Sequence, residues 1–600
     1  MKKSFLTIIF TIILAAATYG GQTFFVSPTG DDANPGTMDQ PMRTIQHALD
    51  SFTEDDRNLL LRPDRYEITE PIRVTLTDEK QRLVMRTWPL SGEVEPATIS
   101  AGRAITGWTE VSPGLVAADV PEAKAGEWDF RDLYVNDKRA TRARHPNTGF
   151  FRVDVCGEDK RTNFTYNEGD LKNWDDLPGV ELVFMHDWSI TRCPIKEINE
   201  AERRLTVPVK IGCDIEFFVL DWWEPHPRYF VENSRAFLDA PGEWFLDKKE
   251  GKLYYMLLDG ESLETLSVVA PVSQQIMIVT GPGPADEKEN ANLVVFSDLR
   301  FQHAVGIFPK VGGTYWGMQA AVFFPHPDDP NRQYRADPAA VQCEDISGVR
   351  FLRCEFSHIG ESGLWIGKNT SHCLVSRCKF FDIGANGIML GTHHHAGFAT
   401  NLTVRLCELS DTCVTLYGGS SIWIGFTADT TIHHNHIWNT AYSGISLGWQ
   451  WNPLPSPSRN NHLIGNHIHD CMTQLSDAGC IYTLGWHPDS TISGNLLHGV
   501  VTAAGRAESN GIFLDEGTKE FVVQNNIIFN TGQSSLRFHR ADYNLVKNNI
   551  LSNAEGVPMI RYNGIPDETI EKIDNLEPAP DSEELRAAIE AWMGGFLKHF

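Results

Sequence analysis

Eight positions in the second half of the chain share one local environment: Cys354, Cys378, Cys407, Asn435, Asn466, Asn495, Asn526 and Asn549. The residues three before them are Phe351, Val375, Val404, Ile432, Leu463, Ile492, Val523 and Val546. The residues two after them are Phe356, Phe380, Leu409, Ile437, Ile468, Leu497, Ile528 and Leu551. All sixteen flanking positions are apolar, while the intervals run 24, 29, 28, 31, 29, 31 and 23. A strict offset with a variable period means short strands joined by loops of unequal length. Leu299, between Phe296 and Phe301, reads as an earlier turn of the same kind. A further strand follows in several turns, at Gly363–Gly367, Gly387–Gly391, Gly444–Gly448 and Gly511–Leu514. No such turn buries its apolar face alone, so successive turns must stack. The expected fold is all-β: a right-handed parallel β-helix. An Asn at a corner bonds the turn and its own copy on the next turn, which satisfies a buried polar group. These Asn and Cys are therefore expected to be architectural, with the Cys as free buried thiols.

The chain divides around this solenoid. Residues 1–20 read as a signal peptide: Lys2 and Lys3, an apolar run from Phe5 to Ala17, then small residues. That run is too short to span a bilayer, so membrane insertion is not expected and the mature protein is expected to be secreted or periplasmic. Residues 21–104 begin the β-helix, with Thr44 to Leu49 as a short capping helix over the open end. Residues 105–270 break the turn pattern and read as an inserted β-rich domain. The β-helix occupies 271–563. Residues 564–600 carry a C-terminal helix, capped by Asp581 or Ser582, with Leu585, Ile589 and Trp592 on one face. It is expected to close the far end.

Net charge is −26. Nucleic acid is excluded as a partner, because neutralising phosphates requires clustered Lys and Arg. Eleven Cys in so long a chain do not describe a disulfide scaffold. No protein partner is indicated.

Loops lengthen after the later strands, at His393-His394-His395, Trp423 to Phe426, Trp449 to Arg459 and Trp486-His487. Such extensions add function to a rigid scaffold. Trp449, Trp451, Trp486 and His487 are candidate sugar contacts, since an indole ring packs on the apolar face of a pyranose. Their competing role is to pack loops on the solenoid. Asp477 precedes one strand, and Asp515 and Glu516 end the equivalent strand on the adjacent turn. Turns stack about 4.8 Å apart, so these carboxylates can be close, depending on their offset. Glycoside hydrolysis needs two carboxyls, one to protonate the leaving oxygen and one to attack or to activate water. Asp477, Asp515 and Glu516 are the candidate catalytic residues, against the alternative that they cap turns. Arg537, His539 and Arg540, on the next turn, can bind substrate carboxylate or hydroxyls, or pair with surface acids. No metal site and no cofactor are expected: three consecutive His rarely converge on one ion, and Asp31-Asp32 to Asp39 lacks a tight ligand pattern.

Several segments also carry a resemblance: Val26 to Asp31 with Asn34-Pro35-Gly36, Leu133 to Arg139, Leu238 to Trp244 with Leu253 to Tyr255, Ser476 to Gly479, and Leu514 to Gly517. In this order they resemble secreted bacterial β-helix carbohydrate-active proteins, in particular glycoside hydrolase family 141. The resemblance implies a hydrolase acting on a plant or algal polysaccharide, α-L-fucosidase-like or xylanase-like. It also implies a catalytic pair of Asp on adjacent turns, matched here by Asp477 and Asp515. Two other readings stay open. A polysaccharide lyase on the same fold would draw on Arg537, His539 and Arg540. A non-catalytic glycan-binding β-helix would bind sugar without releasing product.

Overall fold

The computed structural model describes residues 20–89, 95–212, 219–222, 224–283, 293–306, 314–323, 335–500 and 509–599. The signal-peptide reading falls almost wholly on residues outside this set.

The chain coils through three parallel sheets, here A, B and C, of thirteen, eleven and eleven strands. A typical turn passes from Val349–Leu352 in sheet A to Glu355–Ile359 in B and Leu364–Ile366 in C, and each strand pairs with its copy on the next turn. The repeat read from the sequence lies on sheets A and B; the Gly-bounded strands form C. Like residues stack inside. Phe296 lies on Phe351 at 5.0 Å between ring centroids, and Phe356 on Phe380 at 4.6 Å. Each fully buried side chain of this size stabilises by about 1.5–3 kcal/mol.

The Asn ladder holds the corner between A and B. Oδ1 of Asn466, Asn495, Asn526 and Asn549 accepts from the backbone N–H of the Asn one turn earlier, at 2.8–3.1 Å. Each Nδ2 reaches back to a carbonyl of the previous turn, as Asn495 does to Leu463 O at 3.0 Å. Asn575 extends the ladder beyond the repeat, accepting from Asn549 N at 3.0 Å. Cys354, Cys378 and Cys407 occupy the same corner as free buried thiols.

The two ends differ from the sequence reading in one respect each. The N-terminal cap is the helix Ile45–Asp50, with Thr44 as its N-cap, and Ile45 and Ala48 buried. At the other end the stack runs past residue 563, because Glu571–Ile573 adds a last strand to sheet A. The helix Glu583–Phe596, capped by Ser582, does not close the end. It lies along the flank, where Leu585 packs on Leu496 and Ile527 of sheet B, and Trp592 Nε1 donates to Gly494 O at 2.6 Å. The outer face of B is apolar at these turns, and exposed apolar area of that extent needs cover. Among the described residues no helix is long and apolar enough to cross a membrane.

The inserted region builds antiparallel sheets. The longest also takes in Tyr315–Gly317, Val322–Phe323 and Arg335–Ala336, which follow it in the chain. These segments were assigned to the β-helix from sequence; Tyr315–Gly317 pairs instead with Ser189–Pro194 of the insertion hairpin Glu181–His186/Ser189–Pro194, and the other two extend the sheet from it.

Asn495→Ala removes acceptor and donor together and leaves the backbone N–H of Asn466 buried without a partner. At about 1–3 kcal/mol per unpaired buried group, stability measured by urea unfolding should fall by about 3 kcal/mol or more, whereas Lys547→Ala on the solvent side should change it by less than ~0.5 kcal/mol.

Candidate active site

Alternation sends every second residue of sheet C outward. On neighbouring strands this outer row reads Trp365, Met389, Trp423, Ser446, Tyr482, Phe513 and Arg537. Its first half is an aromatic floor under Ala320 and Val322 of the added segment. Its second half is polar and carries the acids.

Asp515 follows the strand Ser509–Leu514 and lies beside His539 on the next turn. Its Oδ2 accepts from Tyr482 Oη at 2.5 Å, and its Oδ1 lies 2.7 Å from His539 Nδ1. Burial, and then the charge of Asp515, push the Tyr482 hydroxyl far above its ordinary range, so it stays a donor. Asp477 precedes the strand Ala478–Thr483. Its Oδ1 lies 3.3 Å from Arg537 Nη1, and the Arg537 guanidinium sits 4.3 Å over the Phe513 ring. The insertion domain braces this turn. At the tip of its hairpin, Asp187 accepts from Ser476 Oγ at 2.6 Å, and its carbonyl accepts from Ser476 N at 2.9 Å. Arg228 donates to Gln474 O at 2.8 Å.

The two acids lie on adjacent strands but are staggered. Asp477 comes just before the first paired residue and Asp515 just after the last, an offset of seven positions (515 − 508). They are therefore not side by side. Cys480 and Ile481 both enter the core, so the strand bends there and turns Asp477 toward the outer face. Arg537, level with Phe513, lies between the two acids and reaches Asp477.

The other sequence candidates separate from this pair. Glu516 forms an ion pair with Arg540 at 2.6 Å at the edge of the turn, and neither joins Asp477 or Asp515. Trp449 is buried against Trp423 and Trp451; Trp451 is half-buried beside it. Trp486 donates to Glu520 at 2.9 Å, on the turn beyond. His487 was expected at a sugar contact. It is buried inside its loop, with Nε2 2.9 Å from Leu484 O and Nδ1 3.3 Å from Asn461 Nδ2. Its role is to hold a corner.

Tyr482 was not singled out from sequence, although its outward position in Ala478–Thr483 was available as a signal. Asp187 lies 289 residues before Ser476, and no local pattern announces that contact. A second acidic pair is half-buried Asp337 beside buried Glu361, farther back along the solenoid. Burial and the neighbouring Glu361 charge hold Asp337 well above the usual carboxylate range. Residues 341 and 481 are five strands apart in sheet C, so at about 4.8 Å per strand this pair cannot share a bond with Asp515. A cavity of about 1140 Å³ in the insertion domain, lined by Trp174, Arg235 and Glu181, is also set apart. Its Glu181 is tied to Arg131, Arg142 and Arg192.

Residues 114–257 match the GH141 insertion domain, and residues 339–507 match the right-handed β-helix region. The chain is a right-handed parallel β-helix with the insertion domain of glycoside hydrolase family 141. A solved glycoside hydrolase is similar over 95% of this chain and 98% of its own, at 21% identity and a TM-score of 0.74. The XylC–xylose complex is similar over 94% and 86%, at 11% identity and 0.54. No curated protein sequence matches the chain. The GH141 insertion domain is thus the element whose hairpin tip braces the turn before Asp477.

His487 gives a pH prediction. Burial lowers its pKa from 6.5 to about 4, so the unfolded chain takes up the extra proton below 6.5. The stability it contributes is complete above that pH and is lost as pH falls toward 4, by up to about 3 kcal/mol at 1.36 kcal/mol per unit. Urea midpoints measured from pH 7 to 4 should fall less steeply in His487→Gln than in the wild type.

Proposed function

We propose that this protein is a polysaccharide-acting glycoside hydrolase in which Asp477 and Asp515 flank the scissile bond on the outer face of sheet C. The observation that carries this reading is that two acids on adjacent strands are held by different partners. Asp515 is fixed by Tyr482 and His539, Asp477 by Arg537, and the GH141 insertion domain braces the turn before Asp477. Asp477 keeps 22% of its side-chain surface and Asp515 11%, so both reach solvent. Seven positions would span about 23 Å on a straight strand, and the bend that brings Asp477 to Arg537 shortens this. Acids that are not side by side fit an inverting pair, about 6.5–9.5 Å apart, better than a retaining pair at about 5 Å. The XylC complex holds xylose, and a xylose- or fucose-containing plant or algal glycan is the substrate class we propose here. Trp451 is the proposed stacking surface. The protein is proposed to act outside the cytoplasm, in keeping with the signal-peptide reading of residues 1–20.

The lyase alternative needs a cationic group to neutralise a uronate. Arg537 is engaged by Asp477, Arg540 by Glu516, and His539 by Asp515, which weighs against it. A binding protein would not require the Tyr482–Asp515–His539 network.

The test is product analysis on a plant and algal glycan panel, with the anomeric configuration followed by NMR. Wild type should release saturated sugars with inverted configuration. Asp477→Asn and Asp515→Asn should each lower kcat by about 10²–10⁴-fold, while Glu516→Gln should stay within about threefold of wild type, since a surface ion pair is worth little. Unsaturated products, or full activity in both Asn variants, would remove this assignment.

A further inference from the structure

The C-terminal helix covers a group of four imidazoles on the outer face of sheet B, away from the acids of sheet C. His436 and His467 are in register on neighbouring strands, with rings stacked at 4.8 Å and 2°. His469 and His498 form the next column, stacked at 4.9 Å and 2°. His467 and His469 are two residues apart on one strand and so share its outer face. Across the columns, Nε2 of His436 lies 2.9 Å from Nε2 of His469, and Nε2 of His467 lies 2.9 Å from Nε2 of His498.

Each Nε2···Nε2 contact is at hydrogen-bonding distance, so one nitrogen of each pair donates and the other accepts; an ion would replace the shared proton. Among the described residues, His436, His467 and His469 are the group that offers three metal-ligand atoms within 4.8 Å of one another. Three features suit an ion. Asp470 Oδ2 lies 2.7 Å from His469 Nδ1, which places the proton on Nδ1 and leaves the Nε2 lone pair directed into the cluster. A carboxylate behind a ligating imidazole is the usual outer partner of a metal-bound His. Next, His467 is buried and His436 and His469 are half-buried, so the three rings are held largely away from bulk water. Finally, Trp592 and Phe596 of the C-terminal helix roof the cluster at 5.8 and 5.9 Å from His467, while His469 keeps 17% of its side-chain surface toward solvent.

We propose that His436, His467 and His469 bind one divalent transition-metal ion of the zinc class, with Asp470 as the positioning residue behind His469. An all-imidazole donor set selects zinc, copper or nickel over calcium or magnesium. Bonds of about 2.0–2.1 Å to zinc require the three nitrogens to close in slightly, a movement within reach of the ring torsions. The ion ties the strand His436–Thr440 to His467–His469 beneath the C-terminal helix, so it pins that helix to the solenoid. Its role is structural: it touches neither Asp477 nor Asp515. The sequence reading expected no metal, and weighed one at His393–His395 and at Asp31-Asp32 to Asp39 but not here.

The experiment uses the full-length, untagged protein, freed of metal by chelator and then equilibrated with zinc. Metal content after gel filtration should be one zinc per chain. His436→Phe/His469→Phe keeps the stacked rings and the helix docking, and should retain none while its circular dichroism matches wild type. Asp470→Asn, on the surface, should bind zinc about 10–100-fold more weakly. Zinc should raise the melting temperature of wild type and not of the double variant. No stoichiometric zinc in folded wild type, or equal zinc in the folded double variant, would overturn the proposal; the cluster would then be a stacked aromatic platform for the helix.

Discussion

The structure depends on satisfying polar groups at a buried corner that recurs on every turn. A chain that coils through three sheets must turn inside its own core, and each turn strands a backbone N–H away from water. An unpaired group there costs about 1–3 kcal/mol. The Asn ladder removes that cost cooperatively, since each side chain bonds the backbone below and the carbonyl behind. Once the corner is fixed, the rest of each turn is free to vary. Loops lengthen after sheet C without disturbing the ladder, and the chain gains a rigid face on which side chains from different turns keep their spacing.

That rigidity sets the arrangement of side chains on the outer face of sheet C. Tyr482, Asp515, Phe513, Arg537 and His539 come from three consecutive turns, yet strand register places them as neighbours. The β-helix alone leaves the turn before Asp477 exposed; the hairpin of the GH141 insertion domain covers it. Asp187 and Arg228 bond Ser476 and Gln474, so the insertion acts on the site through the backbone beside an acid rather than by supplying an acid. The same solenoid builds its other flank differently. On sheet B the outward row is apolar and imidazole-rich, and the C-terminal helix covers it.

The solenoid was legible because each turn repeats one environment: an Asn or Cys with apolar residues three before and two after. The ladder member Asn575 escaped that pattern because Lys572 and Glu577 stand at its flanking positions, where the stack ends and the apolar requirement lapses. Asp477 and Asp515 were found from their places around equivalent strands. Their stagger was not, since it depends on how two strands register and where one bends. His487 looked like a cleft residue because it follows Trp486 in a long loop; only the fold shows it turned inward to Leu484. The four clustered His of sheet B are spread over 63 positions (436 to 498). They become a cluster through strand register, which no spacing rule on one turn reveals, and consecutive His393–His395 drew attention away from them.

The central claim is that sugar is held across the outer face of sheet C between two staggered acids. A crystal structure of Asp515→Asn soaked with the longest oligosaccharide that wild type cleaves tests it most directly. The account predicts a chain passing beside Arg537, with one glycosidic oxygen between Asp477 and position 515 and a ring against Trp451. Sugar bound in the insertion-domain cavity beside Trp174 and Arg235, with sheet C bare, would contradict it.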